Sequence, residues 1–568
     1  MQPACDVVII GAGPVGLALA GDLGWRGVTS LLVDRGDGTI HQPKMDLVGV
    51  RTMEFCRRWG IVERVEQSPY PRDYPQDNVY VTAVTGYELG RERVAAMGTS
   101  SPPPQSPQKR ERCPQDMFDP ILQRFVATRD EATVRYRTEF VAVTEDVDRV
   151  EVTLRDIESG QTETVRARYL VGADGATSAV REFVGIPMEG ERSLTYTTNI
   201  IFRCPDFVSL HDKGRLYRYI IIGQEGTWAT IVAINGNDRW RMSIIGDTNP
   251  RLFSPEEIDE AIRRAVGVDF DFEIESVVPW TRGELVAASY GRGRVFLAGD
   301  AAHVMSPTGG FGMNTGIGDA VGLSWTLEAN LRGWGGPGLL DAYGPERRPV
   351  AQRNASEAST NLGRMLSTRT TLRPPPEFLD DTPAGAAART TLGATFSEIM
   401  KHEWHTMGMH LGYWYDDSAV VVSDGTPTPP DERMTYTPIN RPGARAPHVW
   451  RADGSSTLDL FGRGLALLRV GADAPSADTL ANAAQTLGVP VTVTAIDEPA
   501  VVAAYGSGLT LVRPDGHTAY RSASAPDPAE AARIIDIVRG AAPRPLASPA
   551  SATAAASATA AATEGVGA

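Results

Sequence analysis

The run Val7-Val8-Ile9-Ile10-Gly11-Ala12-Gly13-Pro14-Val15-Gly16 leaves this chain little freedom in how it begins to fold. The β-branched residues favour a strand, and Leu17, Ala18, Leu19, Ala20 and Leu23 follow at helical spacing. Between them the glycines fall as G-x-G-x-x-G, which reads as strand, tight turn and helix. In such a unit Gly11 lets the chain turn, Gly13 lets the backbone approach a pyrophosphate, and Gly16 lets the helix lie close to the strand. Pro14 and Val15 open the helix, whose unpaired N–H groups and positive dipole end face the phosphates. A second apolar run, Ser30-Leu31-Leu32-Val33, ends in Asp34, about twenty residues past the glycines, where a carboxylate can accept hydrogen bonds from a ribose. Strand before, helix after and acid at the next strand end together favour a bound dinucleotide over close packing alone.

A chain of 568 residues has room for two or three domains. Its net charge of −15 argues against nucleic acid or an anionic membrane as partner. Cys5, Cys56, Cys113 and Cys204 lie far apart and form no C-x-x-C, so buried free thiols in a reducing compartment are expected. The first strand begins almost at Met1, leaving no room for a signal peptide, and no apolar run approaches the ~20 residues of a bilayer span. A cytoplasmic protein follows from these features. His402-Glu403-Trp404-His405, with His410, lacks the H-E-x-x-H spacing, and no metal site is expected.

Along the chain, Lys44 and Asp46 occupy a loop before a helix that runs from Val50 and stops at Gly60. An irregular Ser/Pro/Gly-rich stretch precedes a second helix carrying Gln115 and Arg124. Val134 to Val143, Arg149 to Leu154 and Thr162 to Ala167 read as a small antiparallel ribbon feeding a buried strand, Tyr169-Leu170-Val171-Gly172, that ends in Ala173-Asp174-Gly175. A third strand ends in Ala298-Gly299-Asp300-Ala301-Ala302-His303 and runs on through Pro307 to Gly309-Gly310-Phe311-Gly312-Met313-Asn314. Between these motifs, Thr195 to Phe202, Arg215 to Ile222, Thr227 to Ile234 and Arg239 to Ile245 carry the signature of an antiparallel sheet. Tyr217, Tyr219, Trp228, Trp240 and Met242 are its candidates for lining an aromatic substrate cavity from one face.

With G-x-G-x-x-G, Asp-Gly and Gly-Asp-Ala-Ala-His in this order, the chain up to about Gly540 resembles the group A flavoprotein monooxygenases, single-component FAD-dependent aromatic hydroxylases. The resemblance implies an α/β fold: a Rossmann-type FAD-binding domain, an antiparallel-sheet substrate domain and a thioredoxin-like C-terminal domain. It places a discontinuous FAD-binding unit at 1–370, with the substrate sheet mainly in 76–104 and 190–280. A helical linker at 371–430, the thioredoxin-like domain at 431–540 and a disordered tail at 541–568 complete the chain. It further implies tightly bound FAD, NADPH or NADH as co-substrate, O2, a small aromatic substrate, a homodimer, and hydroxylation of a phenol-like ring through a flavin hydroperoxide. Asp174 would then serve both FAD and the nicotinamide, Asp300 the ribitol, Gln115 the flavin side, and Arg35 and Arg124 would touch FAD.

Reduced flavin is anionic along one ring edge, so a helix starting near Gly312, with Met313 and Asn314 offering backbone N–H groups, would stabilise that charge. The carbonyl region at Pro307 would line the reaction pocket, and His303 is expected to act structurally or electrostatically. Where many relatives carry Pro-Arg-Ser-His this chain has Pro43-Lys44-Met45-Asp46, which makes Asp46 the candidate base and Lys44 the substitute for an arginine near the cofactor. A carboxylate near pKa ~4 is a weak base for a phenol near ~10, so that role requires burial to raise it. The C-terminal domain contains no cysteine, which leaves it a structural or dimer-stabilising part. Two other readings share the scaffold: a Baeyer–Villiger or antibiotic-modifying oxygenase, and a protein that binds FAD without turnover.

Overall fold

The computed structural model describes residues 4–40 and 43–542; from 543 onward the expected disordered tail lies outside the described residues. Four parallel strands are paired in the order Val295–Leu297, Tyr169–Gly172, Val7–Ile10, Ser30–Val33, with Ala132–Arg135 parallel on the far edge and Gly291–Arg292 antiparallel on the near one. Val7 to Ile10 are buried throughout, as expected for a β-branched strand covered on both faces. The register sets Ile10 opposite both Val33 and Gly172, and Gly172 opposite Leu297. The glycine turn, the Ala173-Asp174 turn and the Ala298-Gly299-Asp300 turn therefore emerge side by side at the carboxyl ends of adjacent strands. That edge is where open α/β sheets place their ligands.

Ala132–Arg135 belongs to this parallel sheet and not to the ribbon read from the sequence. Arg137 adopts a left-handed backbone, φ 50°, and the chain turns there into a separate three-stranded sheet, Thr138–Glu145, Val150–Asp156 and Thr162–Ala167. Two long strands, Met188–Arg203 and Glu273–Ala287, carry the chain away from the parallel sheet and back. They form the spine of an eight-stranded sheet that also holds Arg239–Asp247, Gly226–Ala233, Arg218–Gly223, Asn78–Val81, Glu88–Glu92 and His303–Val304. All pairings are antiparallel except that of Arg218–Gly223 with Asn78–Val81.

The faces of this sheet differ from the expected assignment. Tyr219, Ile231 and Met242 stand opposite one another in register and point the same way, toward the helix Pro255–Val266. With Trp228, Trp240, Ile258 and Ile262 they form a closed core in which Phe207 stacks on Trp240 at 4.1 Å. Tyr219, Trp228, Trp240 and Met242 thus fill a core away from the parallel sheet; they do not line a cavity over it. Side chains alternate across a strand, so the intervening residues Arg218, Arg241 and Ser243 hold the other face.

Beyond the sheet the chain is helical at Pro383–Trp404 and Met407–Leu411, then runs extended past a bridge between Trp414 and Ala444. The C-terminal unit orders its strands Val491–Ile496, Leu465–Val470, Gly508–Val512, Thr518–Ser522, the first pair parallel and the rest antiparallel. With helices Asp478–Thr486, Pro499–Tyr505 and Pro528–Val538 this is a thioredoxin-like arrangement. Buried ion pairs fasten it: Glu54 accepts from Arg51 and Arg445, and Arg513 is held between Glu346 and Asp515. Among the described residues no helix is long and apolar enough to cross a membrane, and no group of three or more His, Cys, Asp or Glu could hold a metal ion.

Candidate active site

The glycine turn is built to bring backbone, and nothing else, to a ligand. Gly11 has φ +104°, and a Cβ there would overlap the Ala173 carbonyl of the neighbouring turn; a Cβ at Gly16 would overlap the Gly11 carbonyl. Gly13 is the opposite case, since a Cβ there meets no protein atom within 4 Å and would project into open space. Helix Pro14–Trp25 starts at that point with no side-chain cap, leaving the Val15 and Gly16 N–H groups without intrahelical partners. The Asp34 carboxylate accepts from the Ala12 N–H at 2.6 Å and the Gly36 N–H at 2.7 Å, which fixes the turn and leaves each oxygen a second lone pair for a ribose. Arg35, next to Asp34, and Arg124, on the helix Gln115–Val126, are both exposed.

The other two turns place an acid each. Asp174 accepts from Ser178 Oγ at 2.5 Å and the Val180 N–H at 3.2 Å, and burial raises its pKa. Asp300 is accessible at the third turn, yet its surroundings desolvate it enough to raise its pKa against the charges of His303 and Lys44. His303 turns away from this edge: its Nε2 lies 2.8 Å from Asp319, which also accepts from Arg347 Nε at 2.8 Å and from the Gly299 N–H. Burial works against the Asp319 charge, but Arg347 and His303 outweigh it and hold the carboxyl below its usual range. His303 is a structural member of a buried ionic cluster.

Helix Gly312–Leu331 begins with Phe311 as its uncapped N-terminal residue, so the Gly312, Met313 and Asn314 N–H groups are available to an anionic edge. The Asn314 side chain uses its full hydrogen-bonding capacity. It accepts from the Gly49 N–H and Thr52 Oγ1 and donates to the carbonyls of Leu47 and Gly310, tying the 43–49 loop to the helix start. Pro307 is exposed, and its carbonyl accepts from the Gly310 N–H at 3.1 Å. Gln115 fixes the same loop from the other side, accepting from the Lys44 N–H at 3.0 Å and donating to Asp119 at 3.1 Å. The Lys44 ammonium lies 5.7 Å from the Trp280 ring centroid.

Asp46 stands at the junction of loop and sheet. It accepts from Arg112 Nη1 at 2.7 Å and Tyr217 Oη at 2.5 Å, with Arg241 at 3.8 Å. Burial pushes its pKa up, but Arg112, Arg241 and the Tyr217 hydroxyl prevail and the net shift is downward. The condition for Asp46 to act as base, a raised pKa, is therefore reversed by two guanidiniums. Tyr217, alone among the aromatic candidates on the sheet, reaches this junction, with Arg112 stacked 3.7 Å over its ring. Sequence reading misses Arg110, Arg112, Arg218, Arg241 and Arg282, which gather here; charged residues alternating with apolar ones inside the strands at Arg218 and Arg241 were the available signal.

The residues present fit a flavin dinucleotide: a backbone cradle open at Gly13, acids at three strand ends and an uncapped helix start beyond them. Comparison with known proteins agrees. Residues 4–358 match the FAD binding domain model and residues 440–542 the model for the aromatic-ring hydroxylase C-terminal region. The chain is 34% identical to 4-methyl-5-nitrocatechol 5-monooxygenase of a Burkholderia species, covering 94% of this chain and 96% of that one. It is 32% identical to 2,4-dichlorophenol 6-monooxygenase of Delftia acidovorans, covering 91% and 94%. Among solved structures, the rebeccamycin biosynthetic enzyme RebC with reduced flavin superposes with a TM-score of 0.87 at 38% identity, covering 95% of this chain and 99% of that one.

Proposed function

The chain belongs to the FAD-dependent aromatic-ring hydroxylases and is an aromatic monooxygenase, and from that premise we propose that it hydroxylates a phenol-like ring held between the 43–46 loop, the 306–310 turn and the arginine face of the eight-stranded sheet. The observation that carries this reading is the side-by-side emergence of the three turns at the edge facing the uncapped helix start. In it, Gly11, Gly13, Pro14, Val15 and Gly16 take the pyrophosphate, with Asp34, Arg35 and Arg124 at the adenosine end. Asp174, Asp300, Lys44 and Gln115 flank the middle, and the N–H groups of Gly312, Met313 and Asn314 take the ring edge. Bound FAD supplies the reduction by NADH or NADPH and the activation of O2 that side chains cannot.

The protein's own part is to orient and exclude water. Asp46, ionised and shared by Arg112 and Tyr217, acts as a fixed anchor that aims the Tyr217 hydroxyl; it is not the acceptor of the substrate proton. Pro307 shapes the wall beside the reacting ring. The expected division at 1–370, 371–430 and 431–540 belongs to this reading, as does a homodimer. All four cysteines are free, three of them buried, which supports a reducing cytoplasm. Purified protein should be yellow, and a panel of phenols, naphthols and hydroxyanthraquinones should include rings that stimulate NAD(P)H oxidation and gain one oxygen by mass spectrometry. A colourless protein that takes up no added FAD would overturn the reading, and a lactone or ester product would move it to Baeyer–Villiger chemistry.

A further inference from the structure

The arginines that gather beside Asp46 exceed what the local carboxylates can neutralise. Arg218 and Arg241 stand in register with Val232 between them, two strands and about 10 Å apart on one face. Arg218 is paired with Glu403 at 2.8 Å, while Arg112 and Arg241 share Asp46. Arg282 and Arg110 have no carboxylate within ion-pair distance among the described residues. Arg282, only 6% exposed, donates to Thr197 Oγ1 at 2.8 Å and to Ser306 Oγ at 3.3 Å, next to Pro307. Arg110 donates to the Trp404 carbonyl at 3.3 Å, and Glu92, whose charge reaches it, is bonded to His405.

Five guanidiniums thus face Asp46 and Glu403, with Glu92 at the margin and shared with His405, in a place where removing a charge from water is costly unless it is paired. Burial, aided by the neighbouring arginines, pulls both Arg282 and Arg110 down to about 10. An uncompensated cation set beside the 306–310 turn is a site awaiting an anion, and a planar guanidinium matches a carboxylate in two parallel hydrogen bonds. The cluster also touches both walls of the candidate pocket, because Arg241 donates to the Pro43 carbonyl at 3.2 Å and Arg282 to Ser306.

We propose that the aromatic substrate of this enzyme carries at least one carboxylate, met by Arg282 and Arg110, so that the site selects aromatic acids over their neutral counterparts. The proposal rests on the hydroxylase reading above. Its test uses the FAD-loaded full chain and matched probes: salicylate, a hydroxynaphthoate and a dihydroxyanthraquinone carboxylate, each against its methyl ester. Binding is followed by the change in flavin absorbance, and turnover by NAD(P)H consumption with product mass. At least one acid should bind about ten- to a hundredfold more tightly than its ester, the range of a charge-assisted hydrogen bond. Arg282→Gln and Arg110→Gln should each narrow that acid-to-ester ratio, and Arg282→Lys should restore part of it. Equal binding of every acid and its ester, absence of binding by every acid, or variants that weaken both members of a pair alike would overturn the proposal. Oxygenation of neutral rings with no preference for acids would do so while leaving the hydroxylase intact; a protein that oxygenates no ring fails at the earlier step.

Discussion

Gly13 and Gly16 sit three residues apart in one turn, yet the structure gives their substitution opposite consequences. Gly13 has φ −73° and ψ −178°, a conformation open to any L-residue, and an added methyl meets no protein atom within 4 Å. Gly13→Ala should therefore leave the apoprotein as stable as before or stabilise it by about 0.4–1 kcal/mol, through loss of freedom in the unfolded chain. The same methyl would occupy the space expected for the pyrophosphate. An overpacking cost of about 1–3 kcal/mol would weaken FAD binding about five- to 150-fold. Gly16→Ala drives its methyl into the Gly11 carbonyl and must shift strand or helix, so the same range of energy appears as lost apoprotein stability. FAD titration of deflavinated protein and urea denaturation without FAD separate the two effects. Undiminished FAD affinity in Gly13→Ala would refute the reasoning, as would an apoprotein destabilised as much as that of Gly16→Ala.

Asp46→Asn leaves Arg112 short of its carboxylate, and should cost about 3–5 kcal/mol in urea denaturation along with most of the turnover. Because the folded pKa of Asp46 is depressed, its contribution is present above the unfolded carboxylate value and is lost as pH falls through the lower folded one; the neutral-pH limb of the rate profile should be the same in wild type and variant, and its disappearance in the variant would make Asp46 the base. Tyr219→Phe removes a hydroxyl that lies 2.9 Å from His211 in the core under helix Pro255–Val266, costing about 1 kcal/mol of stability with kcat/KM retained, whereas Tyr217→Phe should lower kcat/KM; matched losses in activity would return Tyr219 to the site. Glu54→Gln should destabilise the chain by about 3–5 kcal/mol and hasten proteolysis between the parallel-sheet unit and the C-terminal unit, since it leaves Arg51 and Arg445 buried without their anion; unchanged proteolysis would show that this cluster does not fasten the two.

The parallel sheet could be read from the chain because each of its motifs is local. A β-branched run, glycines at fixed spacing and an acid at the next strand end are written within a few residues, and the register only had to set them side by side. The eight-stranded sheet was legible as strands but not as faces. Trp240 and Met242 alternate with Arg241 and Ser243, and alternation says that the faces differ without saying which one a distant helix will cover. That helix, Pro255–Val266, took the aromatic face, so the arginines were left facing the 43–46 loop. The reversed pKa of Asp46 was equally hidden, since Arg112 and Arg241 lie 66 and 195 residues away in sequence.

The C-terminal unit has no thiol, yet it grips the helix Val50–Trp59 that begins where the Asp46 loop ends. Arg445 and the Asp515 carbonyl reach Glu54 and Arg51 on that helix, and Asn314 binds Thr52 from the opposite side. A recombinant fragment ended before residue 440 would lose Arg445 and the Asp515 carbonyl, leave Arg51 and Glu54 in an opened socket, and loosen the loop that their helix follows. Grafting this catalytic half onto a foreign partner, or trimming it to a minimal biocatalyst, would thus require redesigning that socket first.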